Sequence, residues 1–147
     1  MEKKADITKL QILLRIRQNN VEDAVMNIKQ YTDLIKNNGI DEDAVSSVEE
    51  LFGMSLNDDL KHIVSVVLDD YFIDEKCRVI SLKEILRTED FIGVDFTELN
   101  MIPLVDCKDD DYIVFNFNTQ KYEMYNIYEE VSFREANNLE MLLDSIK

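Results

Sequence analysis

The sequence predicts an α+β domain, in which helices come first, strands follow and a final helix closes the chain. Three observations predict it. Apolar residues recur every three or four positions in the first half, two strand-like runs surround a polar turn at residues 118–121, and helical spacing returns after residue 133. The length of 147 residues suits one domain with its own core. We therefore predict a single domain over residues 1–147.

The N-terminal half is predicted to be helical. Residues 6–18 and 21–37 form two helices, and residues 1–40 thus make a helical extension. Asn20 is the expected N-cap of the second helix, and Asn37-Asn38-Gly39 is its stop signal. Its apolar face comprises Val21, Ala24, Val25, Ile28, Tyr31 and Ile35.

Two further helices follow before the strands. Asp41 or Asp43 caps a helix that runs through Phe52 and ends at Gly53. Asn57 is the expected cap of the next, whose apolar residues are Leu60, Ile63, Val64, Val67 and Leu68.

The C-terminal half mixes strands and short helices. Residues 77–80 are a predicted strand, and Ser81 with Glu84 forms a capping box for a helix through Leu86. Residues 87–100 are expected to be loop and short strand. Alternation over 112–117 and 122–128 predicts an antiparallel hairpin. The closing amphipathic helix is expected to use Phe133, Ala136, Leu139, Leu143 and Ile146.

The charge balance is the unusual feature of the composition. Sixteen basic residues face 31 acidic ones, which gives a formal net charge of −15. Such a chain repels phosphate backbones and anionic lipid surfaces, so nucleic-acid and membrane binding are not expected. The charge indicates either a basic protein partner or an acidity that serves solubility.

Cellular location is predicted from what the sequence lacks. Two cysteines are too few for a disulfide framework, and no stretch approaches the roughly 20 apolar residues that cross a bilayer. The first 20 residues lack an uninterrupted apolar region and a small-residue cleavage site. We therefore expect a cytoplasmic protein with reduced thiols.

No catalytic or metal-binding motif passes its spacing test. His62 is the only histidine, and it has no flanking motif of a nucleophilic site. Cys77, Cys107 and His62 are too scattered for a zinc site. The acidic segment from Asp106 fails as a calcium loop, because Lys108 holds its third position and no glycine follows. The sequence thus predicts a non-catalytic protein without metal or cofactor.

The acidic segment beside the predicted hairpin is the best candidate for contact with a basic partner. Its carboxylates would pair with Lys or Arg side chains, and its tyrosines would supply aromatic anchors. A solvated turn with no partner is the alternative. The candidate residues are Asp106, Asp109, Asp110, Asp111, Tyr112, Tyr128, Glu129 and Glu130.

Several segments together resemble the SUKH (Smi–Knr) superfamily. Residues 49–61 are similar to its Glu-x-x-x-Gly helix end, and residues 80–85 to a Leu-Ser-x-x-Glu-Ile segment. Ile102-Pro103-Leu104 and residues 111–116 match best, and a strand at 122–125 and a helix at 138–143 follow. The resemblance covers residues 45–146. This chain departs from the pattern at Asn57 (usually proline), at Asn116 (usually aspartate) and at residues 69–76, which replace a glycine-rich turn.

The resemblance implies a mainly antiparallel sheet packed by helices. It also implies an immunity protein that binds and blocks a toxin, often a nuclease, without catalysis. The family has no fixed binding residues to transfer to this chain. The alternative function is an acidic intracellular regulator or adaptor without a toxin, in which residues 1–40 mediate an interaction such as homodimerisation.

Overall fold

The fold is known from a computed structural model that describes residues 25–66 and 71–146. Within these ranges the strands are β1 (Val25–Met26), β2 (Phe72–Ile73), β3 (Cys77–Val79), β4 (Met101–Asp106), β5 (Asp111–Asn116), β6 (Lys121–Asn126) and β7 (Val131–Ala136). The helices are α1 (Ile28–Asn37), α2 (Glu42–Phe52), α3 (Asp58–Val64), α4 (Leu82–Leu86), α5 (Thr88–Phe91), α6 (Phe96–Leu99) and α7 (Leu139–Ser145). The predicted α+β class is confirmed.

The seven described strands form one sheet in the order of the sequence. β1 pairs with β2 in parallel, and every later pair is antiparallel. Helices α1–α3 lie in the connection from β1 to β2, and α4–α6 lie between β3 and β4. The sheet is thus mainly antiparallel, and alternate turns emerge at the same end of it.

The predicted hairpin is confirmed. β5 and β6 pair over their whole length, with Phe115 opposite Tyr122 and Tyr112 opposite Tyr125. The Asn116 side chain accepts a 2.8 Å hydrogen bond from the Asn118 N–H and so helps to form the turn.

The predicted caps of three helices are also confirmed. The Asp41 carboxylate accepts from two N–H groups of the first turn of α2, and Gly53 ends that helix at φ 65°. The Asn57 side chain accepts from the Leu60 N–H at 2.8 Å. Ser81 and Glu84 make the expected capping box of α4. Val67 and Leu68, predicted to extend α3, lie outside the described residues.

The helix predicted over residues 21–37 begins later than expected. Val25 and Met26 form strand β1, and α1 starts at Ile28. Asn27 is its N-cap and forms a capping box with Gln30. This capping box favours a helix that begins at Ile28 over one that continues from residue 21. The Met26 carbonyl is engaged by the Asp74 N–H at 2.8 Å. The predicted cap at Asn20 and the predicted helix over residues 6–18 lie outside the described residues.

The closing helix is also shorter than predicted. Phe133 and Ala136 belong to β7, which pairs with β6, and the helix spans only Leu139–Ser145. Asn138 accepts from the Met141 N–H and caps it there. The expected short strand within residues 87–100 is wrong as well, because α5 and α6 occupy that segment.

The core lies on both faces of the central strands. On one face the Phe115 ring packs edge-on against Tyr122, with centroids 5.1 Å apart, and Phe117 reaches Phe52 of α2. On the other face Phe96 packs against Tyr112 and Tyr125. Because these apolar side chains are buried on both faces, the strand register is fixed, and so are the positions of the turns that connect the strands.

Candidate functional site

Three acidic turns lie at one end of the sheet. They connect β2 to β3, β4 to β5, and β6 to β7, and the antiparallel order brings them to the same end. We call their exposed carboxylates the acidic rim, which consists of Asp74, Glu75, Asp109, Asp110, Glu129 and Glu130. The rim gathers charges that lie up to 56 positions apart in the sequence, from 74 to 130.

Hydrogen bonds join the three turns into one surface. The Lys108 ammonium group lies 3.4 Å from the Glu75 carbonyl oxygen, which links the first turn to the second. The Ile127 N–H donates to the Asp110 carbonyl oxygen at 2.9 Å and links the second turn to the third. The central turn is therefore held from both sides.

The central turn has an unusual backbone. Lys108, Asp109 and Asp110 have φ of 72°, 53° and 67°, so three successive residues with side chains are left-handed. The left-handed region costs residues other than glycine about 1–2 kcal/mol each. Strain of this kind concentrates at functional sites. Here it presents two exposed carboxylates at the tip of the turn.

Five of the eight predicted partner-binding residues are exposed at this end of the sheet. Asp109 and Asp110 lie in the central turn, and Tyr128, Glu129 and Glu130 lie in the next one. Tyr128 is 76% exposed. An aromatic ring so exposed beside carboxylates is a suitable contact for a partner, because tyrosine is enriched among the residues that dominate interface energy.

Tyr112 is not available to a partner, contrary to the prediction. It is 8% exposed, and its ring lies 6.1 Å from that of Phe96. Burial raises the pKa of Tyr112 to about 12, and the nearby Asp106 carboxylate adds to the rise. Tyr112 faces inward because the alternation of β5 places it on the face covered by Phe96.

Asp106 and Asp111 are half-buried and make internal hydrogen bonds. The Asp111 carboxylate accepts from the Asn126 side chain at 2.8 Å. The Asp106 carboxylate accepts from the Lys108 N–H at 3.1 Å, and its other oxygen lies 3.8 Å from the Arg78 guanidinium. These two residues hold the central turn, whereas Asp109 and Asp110 extend into solvent.

Two rim residues, Asp74 and Glu75, were not among the sequence candidates. In the sequence, residues 69–76 stand out only as the segment that replaces the glycine-rich turn of the SUKH pattern. The predicted strand at residues 77–80 could have located them. The turn before this strand lies at its N-terminal end, which is beside the C-terminal end of the antiparallel strand β4. Locating that turn needed the strand order, which no local pattern contains.

A cleft beside α1, α3 and α7 contains the histidine and is the alternative site. It has a volume of about 250 Å³, and its polar lining includes Lys36, Asp59, His62 and Glu140. The His62 Nδ1 lies 3.1 Å from the Asn38 carbonyl oxygen, so this ring nitrogen is engaged by the end of α1. Serine and cysteine are absent from the lining of this cleft. The cleft brings an imidazole, an ammonium group and carboxylates together, and Thr32 and Tyr122 also line it.

Metal binding has no support in the described ranges 25–66 and 71–146. These residues contain no group of three or more His, Cys, Asp or Glu side chains arranged to hold a metal ion. The rim carboxylates are spread along three turns and do not converge on one point. Their arrangement suits several separate cationic side chains better than one ion.

Comparison with known proteins adds no assignment. No family model matches the chain, and neither a curated protein nor a solved structure matches it. Among the described helices, none combines the length and apolar character that a membrane span requires.

Proposed function

We propose that this protein is a non-catalytic acidic binding protein whose acidic rim binds lysine and arginine side chains of a basic protein. The observation that carries the proposal is the convergence of three acidic turns at one end of the sheet. A backbone hydrogen bond joins the second turn to the third, and the Lys108 ammonium group joins the second to the first. A rigid set of carboxylates pairs with cations at a smaller entropic cost than flexible ones would.

The charge of the whole molecule supports the same reading. A net charge of −15 attracts a basic partner over several ångströms and repels other acidic proteins and nucleic acids. Tyr128 adds an exposed aromatic contact beside Glu129 and Glu130. Together they provide the two contributions of a specific interface: long-range attraction and a central anchor.

The more specific proposal is an immunity protein of the SUKH type that acts in the cytoplasm and blocks a basic toxin domain. It is supported by the sequence resemblance over residues 45–146 and by the acidity of the chain. Nuclease toxins need basic surfaces to hold a phosphate backbone, and an acidic rim would compete for those surfaces. A gene for a secreted protein with a basic C-terminal domain is expected next to the gene for this chain.

The test is a binding measurement with that basic domain. The rim variant carries Asp109→Asn, Asp110→Asn and Glu130→Gln, and the control variant removes the same number of charges from helices with Glu50→Gln, Glu89→Gln and Glu98→Gln. We expect the rim variant to associate at least about tenfold more slowly at low salt and to show a weaker salt dependence. The control variant should change both quantities much less.

Two outcomes would contradict the proposal. Equal effects of the rim and control variants would mean that net charge acts without a defined surface. Unchanged binding in both variants would exclude the rim as the contact surface. The regulatory alternative, in which residues 1–40 mediate an interaction such as homodimerisation, has its own test. Solution mass with and without residues 1–40, measured across concentrations, then distinguishes a homodimer from a monomer.

A further inference from the structure

Cys77 is the first residue of β3, and Cys107 directly follows the last residue of the adjacent antiparallel strand β4. Arg78 pairs with Asp106 and Val79 with Val105, and the same register continued by one residue pairs position 77 with position 107. Both cysteines are free thiols. Their 30-residue separation in sequence, from 77 to 107, hides this proximity from any motif search.

The pair occupies the type of register position that suits a disulfide. The Ile80 N–H donates to the Leu104 carbonyl oxygen at 3.0 Å, so residues 80 and 104 form a hydrogen-bonded pair. Pairs alternate along an antiparallel ladder, which makes 79–105 and 77–107 non-hydrogen-bonded pairs with Cα atoms about 4.5 Å apart. Disulfides join Cα atoms roughly 4.4–6.8 Å apart, so the strands need no large movement.

Both side chains also point to the same face. The neighbouring pair, Arg78 and Asp106, is joined by a 3.8 Å ion pair on one face of the sheet. Alternation therefore places residues 77 and 107 together on the opposite face. A small cavity of about 20 Å³, lined in part by Cys77 and Lys76, lies beside the first thiol. This volume is comparable with that of a water-sized molecule.

The two thiols differ in acidity. The neighbouring Cys107 side chain lowers the pKa of Cys77, although burial and the nearby Asp106 act in the opposite direction. The Cys77 side chain, together with burial, raises the pKa of Cys107, whose Sγ lies 4.0 Å from the Val105 carbonyl oxygen. Cys77 is thus the thiol that ionises first, and Cys107, which is half-buried, remains protonated beside it.

We propose that Cys77 and Cys107 form a redox modification site that hydrogen peroxide closes into an intramolecular disulfide. The Cys77 thiolate attacks one peroxide oxygen; the O–O bond breaks, and after protonation the products are a Cys77 sulfenic acid and water. The Cys107 sulfur then attacks the Cys77 sulfur, an S–S bond forms, the S–O bond breaks and a second water leaves. Two thiols are oxidised by two electrons, and one peroxide is reduced to two waters.

The disulfide would join β3 to the base of the central acidic turn, because Cys107 immediately precedes Lys108. The site does not depend on the proposed binding function. The connection nevertheless makes the position of the acidic rim sensitive to oxidation. A thiol reductant reverses the modification by thiol–disulfide exchange.

The experiment treats the full chain with a small excess of hydrogen peroxide and follows intact mass and free thiols. We expect a loss of 2 Da and of both thiols within one chain, at a rate at least about tenfold higher in the folded protein than in urea. The oxidised protein should melt about 5 °C or more above the reduced one, and a reductant should reverse the change.

Matched variants separate this site from unspecific oxidation. Cys77→Ala and Cys107→Ala should each keep one thiol and gain oxygen or form intermolecular dimers instead of losing 2 Da. A wild-type chain that gains oxygen without forming a bridge would overturn the proposal. So would equal rates in folded and unfolded protein, or a lower melting temperature after bridging, because either result means that the fold does not preposition the thiols.

Discussion

At the scale of single residues, Glu123 is a buried carboxylate in the described core that needs hydrogen-bond donors to stay ionised. It is 4% exposed, and its carboxylate accepts hydrogen bonds from Ser132 at 2.6 Å, Thr119 at 2.7 Å and Asn116 at 3.0 Å. Burial alone would raise the pKa of Glu123, but these three donors and the nearby Lys121 together lower it. Neutral donors from two strands and a turn thus keep a buried charge ionised.

Replacing Glu123 by Ala should lower the free energy of unfolding by about 2–4 kcal/mol, because three donors lose a charged acceptor. Chemical denaturation in urea measures this change. The matched control is Glu135→Ala on the neighbouring strand, opposite Glu123 in the register. Glu135 makes an exposed ion pair with Lys121 at 3.1 Å, so its loss should cost less than about 1 kcal/mol. Equal costs would show that the buried network contributes nothing beyond an exposed pair.

The pH dependence of stability follows from two lowered carboxyl pKa values. For Glu84, burial acts to raise the pKa, but the bidentate Arg78 guanidinium at 2.8 Å and the Ser81 donors lower it overall. A carboxyl group whose pKa is lower in the folded chain takes up its proton first in the unfolded chain. Its stabilisation is therefore complete above the unfolded value of roughly 4.3 and is lost as the pH falls through the lower folded value.

We accordingly expect Glu123→Gln to flatten the fall in stability below about pH 4.5, since this variant has no proton to take up at that position. Urea denaturation of both proteins from pH 3 to pH 7 provides the comparison. The two curves should converge on acidification. Parallel curves over this range would mean that Glu123 titrates alike in the folded and unfolded chains.

At the scale of elements, local signals were predictable and long-range pairing was not. The caps at Asp41, Asn57 and Ser81 depend on residues two or three positions away, and the structure shows each of them. β7 was predicted as helix because Phe133 and Ala136 continue the apolar spacing of α7. Pairing with β6 overrides that spacing, which is a tertiary effect that a single segment does not encode.

The candidate site shows the same division. The carboxylates of the central turn were predicted from their sequence, but the inward direction of Tyr112 depends on which face of β5 Phe96 covers. The contribution of Asp74 and Glu75 depends on the order of strands. Sequence patterns therefore predicted that the rim is acidic and identified four of its six residues. The other two, Asp74 and Glu75, could be assigned only from the fold.

The left-handed central turn allows a prediction that separates strain from function. Asp109→Gly should raise the free energy of unfolding by about 0.5–1 kcal/mol, because glycine adopts φ 53° without the steric cost of a side chain. It should also weaken binding of the basic partner, since one rim carboxylate is lost. Lys108→Gly, at φ 72°, relieves similar strain and keeps every carboxylate, but it loses the 3.4 Å contact of the Lys108 ammonium group with the Glu75 carbonyl oxygen; it therefore tests the shape of the rim at constant carboxylate number.

The comparison is made by urea denaturation and by binding at low salt. Both variants are expected to be more stable than the wild type, and only Asp109→Gly should bind more weakly. A loss of stability in both would show that the turn is held by contacts of these side chains and stores no strain. Weaker binding by Lys108→Gly as well would assign the effect to the shape of the turn instead of its charge.

At the scale of the whole molecule, the excess of negative charge opposes compaction, and the acidic rim concentrates part of that excess. Screening by salt should therefore stabilise the folded protein, and we expect the free energy of unfolding in urea to rise by about 1 kcal/mol between 20 mM and 500 mM NaCl. The rim variant (Asp109→Asn, Asp110→Asn, Glu130→Gln) should be more stable than wild type at 20 mM and should respond less to salt. The helix variant with Glu50→Gln, Glu89→Gln and Glu98→Gln removes equal charge from more dispersed positions and should show a smaller effect. If the stability of both variants depends on salt alike, the repulsion depends on net charge alone. The rim carboxylates would then not repel one another more than other carboxylates do, and a cationic partner would relieve no special repulsion there.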